Sequence, residues 1–84
     1  MKTYKILVQI LNNREGSRFA ELQQLLKGLG FTLERINGSH HIFKHPAVAE
    51  LVNIQEVGGK AKPYQVRQIL ALIEKYNLEI EEKR

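Results

Sequence analysis

All three histidines of this chain fall within six residues, in the segment Gly38-Ser39-His40-His41-Ile42-Phe43-Lys44-His45-Pro46. Histidine is the side chain that most readily takes and gives a proton near neutral pH. The chain has no cysteine and no aspartate, so proton-transfer chemistry has few other homes. Read as a β-strand, the segment sends alternate side chains to opposite faces. His40, Ile42 and Lys44 share one face; His41, Phe43 and His45 share the other. Phe43 is the large apolar residue that seeks a core. His40 and Lys44 are then expected on an open face, with Ile42 exposed between them. His41 is expected inward or at the sheet margin, as a satisfied, partly buried histidine. His45, ahead of Pro46, is expected as a turn residue. His40 is therefore the candidate general acid or base. Lys44 lies about 13 Å along the same face, close enough for a neighbouring phosphate but not for His40 itself.

Other chemistries lack their parts. Zinc needs three or four ligands; adjacent strand histidines face opposite ways, and no Cys or Asp completes a set. No metal and no cofactor are expected. Two-metal hydrolysis needs clustered carboxylates, and Ser39 beside His40 is an adjacency rather than a nucleophilic triad. A second cluster is positively charged. Gly58-Gly59-Lys60-Ala61-Lys62-Pro63 is a glycine-containing basic loop entering a helix, whose N-terminus favours anions. It lacks the spacing of a nucleotide-binding P-loop. Lys60 and Lys62 are candidate phosphate contacts. Arg67 extends the basic surface one turn into the helix, and Arg35 stands beside the hairpin.

The elements that must position these groups follow from periodicity. Ile6, Leu7, Ile10 and Leu11 predict a first helix over Tyr4–Asn12. Phe19, Leu22, Leu25, Leu26 and Leu29 predict a second, from Ser17 or Arg18 to Leu29, with Ser17 as its cap and Gly30 as its stop. Alternation predicts strands over Phe31–Ile36, Ser39–Lys44 and Ala49–Gln55. Asn37-Gly38 is a strong signal for the first hairpin turn, and Pro46 ends the second strand. Pro63 opens a last helix whose stripe is Val66, Ile69, Leu70, Ile73 and Tyr76. The fold expected is α+β, in the order α-α-β-β-β-α. A three-stranded antiparallel sheet has both flanking helices on one face and the other face open, the layout of double-stranded-RNA-binding domains. Residues 1–84 read as one domain, with 1–16 an additional N-terminal helical segment and 79–84 a frayed tail.

Charge and composition narrow the partners. The 84 residues carry a formal charge of +4. Residues 1–73 hold ten Lys/Arg against five Glu, whereas residues 74–84 hold three against four. The basic body favours a polyanion such as nucleic acid. Apolar runs are too short for a membrane span, and Met1–Val8 lacks the pattern of a signal peptide. A soluble cytoplasmic protein with no membrane partner is expected.

Three stretches together resemble the HicA (YcfA-like) toxins: Leu29-Gly30-Phe31, Gly38 through Pro46, and Gly59-Lys60-Ala61-Lys62-Pro63-Tyr64-Gln65-Val66-Arg67-Gln68-Ile69. The resemblance spans roughly residues 19–78. It implies a fold similar to the double-stranded-RNA-binding domain and an endoribonuclease of a toxin–antitoxin pair that cleaves messenger RNA. It implies that His40 is the key histidine, that Gly38 with Ser39 forms the turn presenting it, and that a HicB-like antitoxin covers this surface. The chain departs from compact members in residues 1–16, in its Gly-Gly-Lys-Ala-Lys-Pro loop and in its acidic tail. From the residues alone, two other functions use the same surface: a non-catalytic RNA-binding module, and a protein-interaction domain that contacts exposed Ile42.

Overall fold

The computed structural model describes residues 7–10, 12 and 18–80. Residues 7–10 and 12 are helical, within the first predicted helix. The remainder of that helix, the Ser17 cap and residues 81–84 of the tail lie outside the described residues. Helix α1 spans Phe19–Gly28. Strands β1 (Thr32–Asn37), β2 (His40–His45) and β3 (Val48–Gln55) follow, then helix α2 (Pro63–Tyr76). The strands form one antiparallel sheet in the order β1-β2-β3. The α+β class and the element order are those expected from the sequence.

The core is the helix side of the sheet. Phe43, Val52 and Ile54 from the strands meet Phe19, Leu22, Leu25 and Leu26 of α1 and Val66, Ile69 and Leu72 of α2, all buried. Each helix presents its apolar stripe inward, as its 3.6-residue periodicity requires. Ile10 joins this core, and Leu7, Leu78 and Ile80 pack against it while half-buried.

Helix α2 is fixed to β3 at both ends by polar contacts. At its start, the Gln55 N–H donates to Gln65 Oε1 (3.0 Å). At its finish, Tyr76 Oη donates to Glu50 Oε1 (2.5 Å) and Lys75 Nζ to Glu50 Oε2 (2.9 Å). The helix thus runs antiparallel to β3, with its N-terminus beside the strand's C-terminal end. Asn77 ends it in the left-handed conformation (φ 53°), and the Leu78 N–H returns to Ile73 O (3.0 Å).

The structure moves one turn and buries one side chain relative to expectation. Asn37 pairs with His40, so the two-residue turn is Gly38-Ser39 rather than Asn37-Gly38. Gly38 has φ 63° and Ser39 does not share the left-handed conformation; glycine at the first central position is the pattern of a type II′ hairpin. Ile42, expected exposed, is only 8% exposed. It lies on the central strand, with Arg35 and Asn53 as its cross-strand partners. Directly paired side chains stand about 5 Å away on each side and shield it.

Candidate nucleic-acid interface around His40

The Gly38-Ser39 turn delivers His40 as the first residue of β2, opposite Gln55 on β3. His40 faces the side of the sheet away from the helices, as strand parity requires. Its Nδ1 lies 3.1 Å from Asn53 Oδ1, two residues along β3 on the same face. With the amide oxygen as acceptor, Nδ1 carries the proton and Nε2 keeps its lone pair. The contact gives the ring a hydrogen-bonded orientation with Nε2 left as an acceptor.

The two other histidines are used differently. His45 sits at the end of β2 on the helix side. Its Nδ1 accepts from the Ala47 N–H (3.0 Å), so Nε2 bears the proton and donates to Leu29 O (3.1 Å). Its ring meets Phe31 edge-on at 5.0 Å. Both ring nitrogens are occupied, and the histidine ties the end of β2 to the end of α1. His41 turns inward against Phe19, ring centroids 4.7 Å apart. Its Nδ1 is buried without a hydrogen-bond partner, so the expectation of a satisfied histidine fails there although the face was right. The apolar ring of Phe19 beside it offers no conventional hydrogen-bond partner.

The basic loop begins where the histidine turn ends. The Glu56 N–H donates to Ser39 O (3.1 Å), continuing the β2–β3 pairing by one residue. Val57 and Lys60 then bond reciprocally, N–H to C=O at 2.9 and 3.1 Å, around Gly58-Gly59. Both glycines have positive φ (58° and 78°), which this two-residue turn requires and which other residues rarely adopt. The loop also docks on α1. The Phe19 N–H donates to Gly59 O (3.0 Å), and Arg18 pairs with Lys60 as an isolated bridge. Gly59 thus supplies a backbone cap, and Arg18, which periodicity marked only as a helix boundary, stands beside Lys60.

The predicted cations come from three elements. Lys60 and Lys62 follow directly from the strand end that pairs with His40. Lys44 is exposed on the His40 face but at the far end of β2, opposite Thr32. Arg67 is exposed on α2, in the helix layer behind the sheet. Three polar residues that sequence reasoning passed over belong to the site. Asn53 orients His40, the Gln55 side chain donates to Ser39 Oγ (3.3 Å), and Gln65 receives the Gln55 backbone. The available signal was parity: in Leu51-Val52-Asn53-Ile54-Gln55, the polar residues sit at the outward positions. Pairing them with His40 needed the strand register, which the sequence does not state.

Among the described residues no group of three or more His, Cys, Asp or Glu side chains could hold a metal ion. None of their helices is long and apolar enough to cross a membrane.

A family model described as the HicA toxin of bacterial toxin–antitoxin systems matches residues 19–74. The match takes in α1, the whole sheet, the basic loop and most of α2, and the chain belongs to that family. No curated protein and no solved structure matches the chain.

Proposed function

We propose that this HicA-family toxin is a metal-independent endoribonuclease that cleaves messenger RNA, with His40 as its general base. The observation that carries this reading is the His40–Asn53 contact, which leaves Nε2 as a proton acceptor on an open sheet face. RNA supplies its own nucleophile. Nε2 takes the proton of a 2′-OH, the 2′-oxygen bonds to the adjacent phosphorus, and the P–O5′ bond breaks. The 5′-oxygen leaves with a proton from water, giving a 2′,3′-cyclic phosphate and a 5′-OH. A positioned acid or base contributes about 10²–10⁴-fold.

Lys60 and Lys62, with Arg18 beside Lys60, hold the phosphates next to the reacting bond and offset the charge that develops on it. Lys44 and Arg67 act further out, as general phosphate contacts. Gly38 and Ser39 shape the turn that presents His40. Membership of a toxin–antitoxin family implies an antitoxin partner, and a HicB-like protein covering the His40 face would keep RNA from it.

The test is incubation of the purified protein with end-labelled RNA in the presence of a chelator. Shortened products ending in a cyclic phosphate support the proposal. A mobility shift with all the RNA intact would replace it with a non-catalytic RNA-binding module.

A further inference from the structure

Among the described residues Gln65 is the single polar side chain that is buried, at 2% exposure. A buried amide is costly unless its groups are paired, and here the pairing is specific. Gln65 Oε1 accepts from two backbone N–H groups, Gln55 at 3.0 Å and Lys62 at 3.4 Å. Its Nε2 donates to Tyr64 Oη (3.5 Å). One acceptor atom therefore joins the last residue of β3 to Lys62, the N-cap of α2.

Those two residues are the roots of the two halves of the site. Gln55 is the cross-strand partner of His40, and its side chain donates to Ser39 Oγ (3.3 Å). Lys62 closes the basic loop that carries Lys60. The reciprocal Val57–Lys60 pair closes the two-glycine turn inside the segment between Gln55 and Lys62, and Gln65 ties the outer ends of that segment to each other.

We infer that Gln65 is a positioning residue, holding the His40 turn and the Lys60–Lys62 loop in fixed relation so that base and phosphate contacts act on the same bond. This rests on the reading of the site as a ribonuclease centre. Gln65 touches no substrate; it acts through Gln55 and Lys62. A loss of registration of about 1 Å at a reacting centre can cost on the order of 10²-fold in rate, whereas affinity depends on the summed charge of cations that are all still present in the variant.

The experiment compares Gln65→Leu, which removes the acceptor, with Gln65→Glu, which keeps two acceptor oxygens. In the full-length protein, ¹⁵N NMR follows the amides of Ser39, His40, Gln55 and Lys62 and the His40 ring. Turnover and affinity are measured on the same labelled RNA. Gln65→Leu is expected to shift all of these signals and to lower kcat at least about tenfold, with the RNA Kd within about threefold. Gln65→Glu is expected to restore kcat to within about threefold. A folded Gln65→Leu protein with Ser39 and His40 signals in their wild-type places overturns the inference. Equal loss of kcat in both variants also overturns it. If Gln65→Leu does not fold, Gln55→Met cuts only the side-chain link to Ser39. It should move the Ser39 and His40 signals and leave Lys62 unmoved, and unmoved Ser39 and His40 signals count against the relay. If the wild-type protein does not cleave RNA, the ribonuclease reading fails, and the NMR comparison alone decides whether Gln65 positions the turn.

Discussion

His40 Nδ1 and Asn53 Oδ1 are 3.1 Å apart on the open face of the sheet, although the residues are thirteen positions apart in the chain. The contact fixes which ring nitrogen is protonated, and it makes a definite prediction. Asn53→Ala removes the acceptor and frees the ring to rotate. Cleavage should fall on the order of tenfold, which corresponds to ~1.4 kcal/mol and matches the net worth of one hydrogen bond. The protein should still fold, because Asn53 is exposed and the alanine uncovers only one side of Ile42. A single-turnover assay at saturating RNA reads the effect; an unchanged rate would leave His40 without an orienting partner.

Gly38 sits at φ 63°, and beyond its two chain neighbours no heavy atom lies within 4 Å of where a Cβ would stand. Gly38→Ala should therefore cost about 1–2 kcal/mol through backbone strain alone. Asn tolerates this conformation better than Ala, so Gly38→Asn should be the milder change. Thermal melts of the three proteins check this order. Equal destabilisation by Ala and Asn would mean that something other than φ governs the turn.

His45 separates structure from chemistry. His45→Ala removes two hydrogen bonds and an edge contact with Phe31, which together amount to about 2–3 kcal/mol. For a domain of this size that lowers Tm by roughly 10–20 °C. At a temperature where the variant is still folded, its cleavage rate should be close to wild type. Loss of activity in fully folded His45→Ala would assign this histidine a role beyond tying β2 to α1.

Strand parity made much of this legible in advance. It put His40 and Lys44 on the open face and His41 with His45 on the other, because the side-chain period of a strand is fixed at two. The apolar spacing of Phe19 to Leu29 and of Val66 to Tyr76 likewise defined both helices. The unread part was register. Asn53 and Gln55 become partners of His40 and Ser39 only once β3 is aligned with β2, and an irregularity between Phe43 and His45 shifts that alignment. Ile42 was misplaced for the same reason, since shielding by Arg35 and Asn53 depends on cross-strand pairing. The Gln65 contact with Lys62 is the N-cap-to-N3 reach of a helix start, but its contact with Gln55 joins residues ten apart whose spacing carries no local signal.

Glu50 gives the fold an acid-sensitive contact. The Tyr76 hydroxyl, and after it the Lys75 ammonium, hold its carboxyl down from 4.5 to about 2. The folded-state value lies below the unfolded one, so this stabilisation is complete above about pH 4.5 and vanishes as the pH falls towards 2. Glu50→Gln should melt below wild type at pH 7, and the two melting temperatures should converge by about pH 2. A gap of constant size across that range would exclude the charged form of Glu50 as its source.

The central claim is that His40 is the proton acceptor in RNA cleavage. It is tested most directly by inducing the wild-type protein and His40→Ala in growing bacteria and following messenger RNA integrity. Wild type is expected to fragment messenger RNA and arrest growth. The His40→Ala protein, accumulating to the same level with the same melting temperature, is expected to do neither. Fragmentation and growth arrest by a folded His40→Ala protein would contradict the account.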